Sequence, residues 1–358
     1  MEYKERIDKI IEDIPETIID FTSERVKSRK PTSAHSEFLT NRAQGDWAEM
    51  IVLKTINRDL KDYVAVSYGM SDGILVGEAG FDEFYEEYQK ELDEIGKRPD
   101  LLIFKKKDYD ITWGYNISRF SREQLAIIVP KAVAGLEIRS SSFIEQNYLE
   151  ETQKRIEDNK QQAMILLHEI LTFDSALMNE KTRGLLKQVT KENLHLQNFT
   201  IRLQSDHCYY EKARETVKTF KEAIKQTKKR DFLSITPKME DLKLIHKWIR
   251  TYGVPHYFVQ VFYDKVYGIG FEEILTLISN SENQNKLFFI EQDSRNQMKK
   301  TIKINAKQGK EVALSTDLPL HRSKRKVFNR GRVVHYVALE HGKMSLQTHD
   351  FLHLIQEK

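Results

Sequence analysis

The sequence predicts an α/β fold in which a central mixed sheet is flanked by helices, with a largely helical insertion in mid-chain. Three observations predict it. Two short apolar runs, Leu101 to Phe104 and Ala132 to Ile138, are bounded by turn-forming or charged residues, as buried strands are. Stretches with helical hydrophobic spacing lie on both sides of these runs. From Glu145 to about Arg230 the pattern becomes mostly helical and irregular. The chain therefore divides into residues 1–144, carrying the two buried strands; 145–230, the insertion; and 231–358, where the core resumes.

In chain order, Ile7, Ile10, Ile11 and Ile14 fall on one helix face, and Pro15 follows. A second short helix is expected over Glu16 to Val26, then a basic loop from Lys27 to Asn41 containing Arg29, Lys30 and Pro31. Gly45 to Asn57 reads as a helix buried through Ala48, Ile51, Val52, Thr55 and Ile56, with Glu49 at the edge of that stripe. Val64 to Val66 reads as a strand, and the acidic stretch Phe81 to Leu92 as a helix. The Arg98–Phe104 strand follows, then a helix over Ser121 to Ile128, then the Ala132–Arg139 strand. Within the insertion, Glu211 to Arg230 is amphipathic and ends in Lys228, Lys229 and Arg230. Beyond it, Phe232 to Thr236 is strand-like, and Met239 to Arg250 is a helix with Leu242, Ile245, Trp248 and Ile249 inward. Tyr257 to Tyr263, Lys286 to Ile290, Thr301 to Ile304 and Arg332 to Leu339 are further strands.

With 358 residues, 40% hydrophobic and 31% charged, the chain can bury a core, which argues against disorder. A net charge of only +3 means that a nucleic-acid partner must be argued from where charge sits. A single cysteine, Cys208, excludes an intramolecular disulfide and suits the cytoplasm. The N-terminal residues lack the apolar core of a signal peptide, and no apolar run is long enough to cross a bilayer.

Each buried strand carries a carboxylate. Asp100 opens the first; Glu137 lies near the end of the second, two residues before Arg139 and therefore on the same strand face. If the strands are neighbours, Asp100 joins them. Two carboxylates and a cation are the minimum set for phosphodiester hydrolysis: the carboxylates hold a hard cation such as magnesium, and the fixed positive charge offsets what builds up on the phosphate. The plainer reading is a turn aspartate and a glutamate that only pairs with Arg139.

Arg98-Pro99-Asp100 followed by four apolar residues, and Gly135-Leu136-Glu137-Ile138-Arg139-Ser140-Ser141-Ser142-Phe143, resemble the PD-(D/E)xK nucleases, and more narrowly the AccI-like type II restriction endonucleases. Gln44-Gly45-Asp46-Trp47-Ala48-Glu49 and the run Pro255 to Asp264 are similar to that family too. The resemblance implies a PD-(D/E)xK core and magnesium-dependent, sequence-specific cleavage of double-stranded DNA, with manganese able to substitute. It also implies a homodimer and a cognate DNA methyltransferase in the same system. Asp100 and Glu137 would be the metal ligands, with Glu49 assisting from the first helix. The chain departs from the pattern in two ways. The family's lysine two residues after the second acid is Arg139 here, which leaves Arg139 or a relocated lysine such as Lys238 as the catalytic cation. Asp100 and Glu137 also stand 37 positions apart (137 minus 100), so the segment around Phe120 to Pro130 must be an excursion.

For DNA contact, Arg322, Lys324, Arg325, Lys326, Arg330 and Arg332 form a run without an acid among them, beside Asn329 and Gly331, which suit a turn. A solvated hairpin loop is the alternative. Lys27 to Lys30 and Lys228 to Arg230 are similar, weaker candidates. Zinc is disfavoured by the single cysteine, and Gly268-Ile269-Gly270 reads as a bend. The rivals are a repair or recombination nuclease of the same fold, a catalytically dead DNA-binding protein, and a scaffold in which Glu137 merely pairs.

Overall fold

The computed structural model describes residues 2–25, 30, 34–70, 74–198, 200–292 and 299–356. Contacts divide the chain into two compact units, residues 1–145 with 233–358, and residues 146–232. In chain order the helices are α1 (Tyr3–Glu12), α2 (Ser36–Asp59), α3 (Phe81–Glu94), α4 (Arg122–Ile128), α5 (Glu145–Leu171), α6 (Glu180–Leu186), α7 (Tyr210–Thr227), α8 (Met239–Tyr252), α9 (Phe271–Ser279) and α10 (Thr348–Gln356). The strands are β1 (Tyr63–Ser67), β2 (Leu101–Lys105), β3 (Ala134–Ser140), β4 (Ser234–Ile235), β5 (His256–Val261), β6 (Lys265–Gly270), β7 (Phe288–Gln292), β8 (Lys300–Asn305), β9 (Lys310–Asp317), β10 (Leu320–Val327), β11 (Val333–Glu340) and β12 (Lys343–Leu346).

The first unit is mixed α/β. Its main sheet has seven strands in the order β1-β2-β3-β5-β6-β9-β12. The β3–β5 pair is parallel and the other neighbours are antiparallel. A two-stranded ribbon, β10-β11, and a three-stranded sheet, β4-β8-β7, complete it. β2 and β3 are adjacent, with Leu101 opposite Leu136. Alternation then sorts their side chains. Leu101, Ile103, Leu136 and Ile138 join Trp47, Ala48, Ile51 and Val52 of α2 in the core. Glu137 and Arg139 therefore face the other side of the sheet, the side on which Trp248 of α8 closes over Gly135.

Several sequence expectations are corrected. The residues of Glu16 to Val26 that are described form turns and bends rather than a helix; Pro15 and the Asp20 turn, which accepts from Thr22 and Ser23 nitrogens at 2.9 and 3.1 Å, break it. The helix expected from Gly45 begins at Ser36, inside the stretch read as loop, because His35 caps it by accepting from the Phe38 amide at 3.1 Å. Gly268 to Gly270 is strand β6, not a bend. Gly268 lets Leu354 of α10 pack close, since an added Cβ would come within 2.3 Å of Leu354 Cδ2. The stretch around Arg322 to Lys326 is a strand, not a loop; its residues are almost all exposed, so no apolar alternation marks it.

In the second unit, α5, α6 and α7 share a core that includes Leu167, Ile170, Leu186, Val217, Phe220 and Ile224. Hydrophobic burial of this kind is roughly 25 cal/mol per Å² of apolar area. It holds together a segment whose polar faces are otherwise solvated.

Candidate active site

The chain reaches the site through a tight turn. Gly96 has φ +85°, and a Cβ there would come within 2.2 Å of the Leu244 carbonyl oxygen. Lys97 N donates to the same oxygen at 3.0 Å, which clamps the turn to α8. Arg98 is buried, bonded to Glu91 of α3, to the Ser118 carbonyl at 3.1 Å, and lies over the Tyr68 ring. Pro99 then packs against Gly135, whose missing Cβ would sit 2.8 Å from Pro99 Cγ. The chain is thus fixed on both sides of Lys97 and Asp100.

Asp100 Oδ2 accepts from the Ile138 amide of β3 at 2.6 Å, which holds its carboxylate beside Glu137. Glu137 is 1% exposed. Its Oε1 receives Lys97 Nζ at 2.5 Å and Arg139 at 2.8 Å. Both cations also reach Asp241 Oδ2 on α8, at 2.6 Å from Lys97 and 2.7 Å from Arg139. Two acids and two bases thus form a closed, largely buried ring. Among the described residues, Glu137 Oε2 and Arg139 Nε are buried without a hydrogen-bond partner.

Electrostatics separates the carboxylates. Burial raises all of them, and their partners decide the outcome. Lys97 and Arg139 outweigh burial at Glu137 and hold it below the ordinary range. The same cations, with Lys238 added, outweigh burial at Asp241 and hold it well below the ordinary range. Among the described residues no ion pair reaches Asp100; burial, then the charges of Glu137 and Glu49, push it well above its ordinary value. Glu49, half-buried on α2, is pushed up to about 7 by burial and by Asp46 and Glu137. Burial works against the two cations, but Asp241 and Glu137 more than compensate, so Lys97 and Arg139 stay fully charged. His256, beside Gly135 on β5, is wholly buried, and burial lowers it to about 3, so it is neutral.

The structure brings Asp100, Glu137 and Arg139 together, with Glu49 close enough for its charge to be felt at Asp100. Lys238 is exposed at the start of α8. Among the described residues no ion pair joins it to Glu137 or Asp100. Asp241 raises its pKa, but burial of its surroundings and the charges of Arg139 and Lys97 together outweigh that and lower it. Two members of the ring were missed in the sequence. Asp241 had a readable signal: it stands four residues before Ile245 and seven before Trp248, on the inward stripe of α8, where an unpaired acid would be costly. Lys97 had none, because its approach to Glu137 depends on the Gly96 turn.

Gln44 of α2 ties the serine string to the site. With its amide turned to satisfy both groups, its oxygen accepts from the Ser141 and Ser142 nitrogens at 3.1 Å each. The excursion between Asp100 and Glu137 is real and contains α4. Of Lys27 to Lys30, only Lys30 lies within the described residues, paired with Asp82 at 2.5 Å. The side chain of Arg330 is outside them. No helix among the described residues is long and apolar enough to cross a membrane.

A divalent cation can be tested against this site. Among the described residues no three or more His, Cys, Asp or Glu side chains form a group that could hold a metal. Magnesium, however, takes only one or two protein carboxylates, with waters and phosphate oxygens filling the remainder. The unpartnered Glu137 Oε2 and the crowded Asp100 carboxylate are hard oxygen donors whose mutual repulsion a cation would relieve, so the residues fit.

Comparison with known families assigns the class. The protein is a restriction endonuclease, a DNA-cleaving hydrolase. The family is that of the AccI restriction endonuclease: its model matches residues 1–357, and the chain belongs to it. No curated protein and no solved structure matches the chain significantly.

Proposed function

We propose that this enzyme cuts both strands of duplex DNA at a specific sequence in a magnesium-dependent reaction, and that its core is a PD-(D/E)xK site. Asp100 and Glu137 hold the metal, and manganese can replace magnesium. The observation that carries this reading is the junction of β2 and β3: the carboxylate just before β2 and the one on β3 meet there, with Lys97 and Arg139 fixed on one Glu137 oxygen and the other oxygen without a hydrogen-bond partner among the described residues. What the ion supplies when bound is Lewis acidity: it polarises the phosphate and makes a water a better nucleophile.

The chain's own residues do the rest. Lys97 takes the part of the lysine that the family pattern places two positions after the second acid. It arrives from the turn before Asp100, ahead of β2, and reaches Glu137 on β3 from there. Because Asp241 and Glu137 hold Lys97 and Arg139 protonated, both act as fixed positive charges toward phosphate oxygens and neither takes a proton. Glu49, poised near neutrality, is the group suited to accept a proton from the attacking water. Asp241 positions the two cations.

The basic hairpin around Arg322, Lys324, Arg325, Lys326, Arg330 and Arg332 contacts DNA. The enzyme works as a homodimer presenting one site to each strand, in a cytoplasm where a cognate methyltransferase protects host DNA. The helical segment 145–230 serves the dimer or clasps DNA. The test is cleavage of a long duplex with magnesium, with chelator and with Asp100→Ala. Discrete fragments that need both metal and Asp100 support the reading; a smear points to a repair-type nuclease, and binding without cleavage in magnesium or manganese to a dead one.

A further inference from the structure

β10 and β11 pair over eight positions, from Leu320 opposite Glu340 to Val327 opposite Val333. Cross-strand partners share a face, so the basic run divides by parity. On one face, Arg322 and Lys324 both end on Glu340 at 2.7 Å, and Lys326 ends on Glu78 at 2.7 Å. On that same face Val334 is buried in a cluster with Leu39, Leu75 and Phe328. That face is anchored at Val334, and each of its cations is paired with an acid, although Arg322 and Lys324 remain exposed.

On the other face, the His321–Leu339 pair at the base turns Leu339 into the main core, and beyond it Ser323, Arg325, Val327, Val333, His335 and Val337 are all exposed. Arg325 stands directly opposite His335. The three valines are 60%, 47% and 38% exposed. No acid stands on this face. A stretch of bare valines around an arginine is a poor water-facing surface and a good contact surface.

We propose that this outward face enters the major groove of the DNA and that Arg325, with His335 beside it, reads base edges there. The inference rests on the endonuclease reading above and deepens it. The groove, about 12 Å wide, admits a two-stranded ribbon. The planar guanidinium matches the paired acceptors of guanine, and apolar side chains suit thymine methyls. The ribbon is also tied to the catalytic edge. His321, at its base, meets the Tyr263 hydroxyl at 3.3 Å, and Tyr263 N donates to the Phe143 carbonyl at 2.9 Å, just beyond the serine string that ends β3. Reading head and carboxylate pair are thereby held in one frame. Charge favours DNA over a second copy of the chain as the occupant.

The experiment selects bound duplexes from a randomised DNA pool in chelator, using Asp100→Ala protein with Arg325 intact, with Arg325→Ala and with Arg325→Lys. With Arg325 intact, a defined sequence should be enriched. Arg325→Ala should erase the preference at one base pair of each half-site and weaken cognate binding by about 10- to 100-fold. Non-specific binding should change little. Arg325→Lys should regain affinity without regaining the preference. The proposal is overturned if no sequence is enriched with Arg325 intact. It is equally overturned if Arg325→Ala weakens all sequences alike, the mark of a phosphate contact, or changes nothing. Val333→Asp with Val337→Asp turning a dimer into a monomer at unchanged base preference would assign the face to a second copy. The selection needs no cleavage, so it reports on the ribbon even if Asp100→Ala proves still to cut and the metal-site reading fails.

Discussion

Lys97 and Arg139 occupy equivalent positions between Glu137 and Asp241, but they differ in what surrounds them. Lys97 is a compact ammonium whose three donors can leave one acid for a phosphate while keeping the other; Arg139 is a planar fork that meets both acids through one nitrogen, Nη2. Lys97→Met is expected to lower the cleavage rate by about 10²–10³-fold with substrate binding nearly unchanged, the loss typical of one electrostatic donor. Lys97→Arg should recover part of it. Lys238→Ala, outside the ring, should change the rate by less than about tenfold. Steady-state cleavage kinetics, with a thermal melt of each variant, separate the rate effect from the stability lost when a buried pair is broken. Glu49 gives a pH prediction. Its pKa of about 7 lies above the ordinary 4.5, so folding favours the protonated acid. The penalty is absent below about pH 4.5, grows as the pH rises and is complete above about pH 7. In chelator, Glu49→Gln should therefore stabilise the protein by about 2–3 kcal/mol at pH 8 and hardly at all at pH 4.5. Melting curves at the two pH values decide it.

At the scale of elements, the site depends on a turn and a helix more than on the strands that carry the acids. Gly96 combines a left-handed φ with a close approach to the Leu244 carbonyl, so Gly96→Ala must displace either the Lys97 turn or α8. A destabilisation of about 3 kcal/mol or more is expected in urea unfolding, with a loss of cleavage larger than stability alone explains. Gly45 is the contrast: it lies inside α2 with nothing within 4 Å of an added Cβ, so Gly45→Ala should stabilise by about 0.5–1 kcal/mol. The same contrast governs what the sequence reveals. β2, β3, β5 and α8 are legible because burial imposes strong apolar periodicity on them. Asp100, Glu137 and Arg139 are legible because strand alternation and the family resemblance both single them out. β10 is illegible because it is solvated along its length and carries no pattern of burial. α2 is legible in its buried half and hidden from Ser36 to Gln44, where its contacts with the ribbon, such as Ser36 Oγ to the His335 carbonyl at 2.5 Å, are set by residues some 300 positions away. Lys97 is hidden for the same reason, since only the folded turn brings it to Glu137.

Across the whole molecule, one unit gathers the acid pair, the cation ring and the basic ribbon from both ends of the chain, and residues 146–232 fold as a unit of their own. A net charge of +3 spread over 358 residues gives little long-range attraction, so DNA affinity has to come from local contacts. Binding should fall linearly with the logarithm of salt, with a slope set by the phosphates those contacts neutralise. A fluorescence titration at several salt concentrations measures it. The most direct test of the central claim is digestion of a long duplex by the wild type in magnesium, by the wild type in chelator, and by folded Asp100→Ala in magnesium. Discrete fragments from the first reaction alone are expected. The same fragments from chelated enzyme or from Asp100→Ala would contradict the assignment of Asp100 and Glu137 as the metal-holding pair.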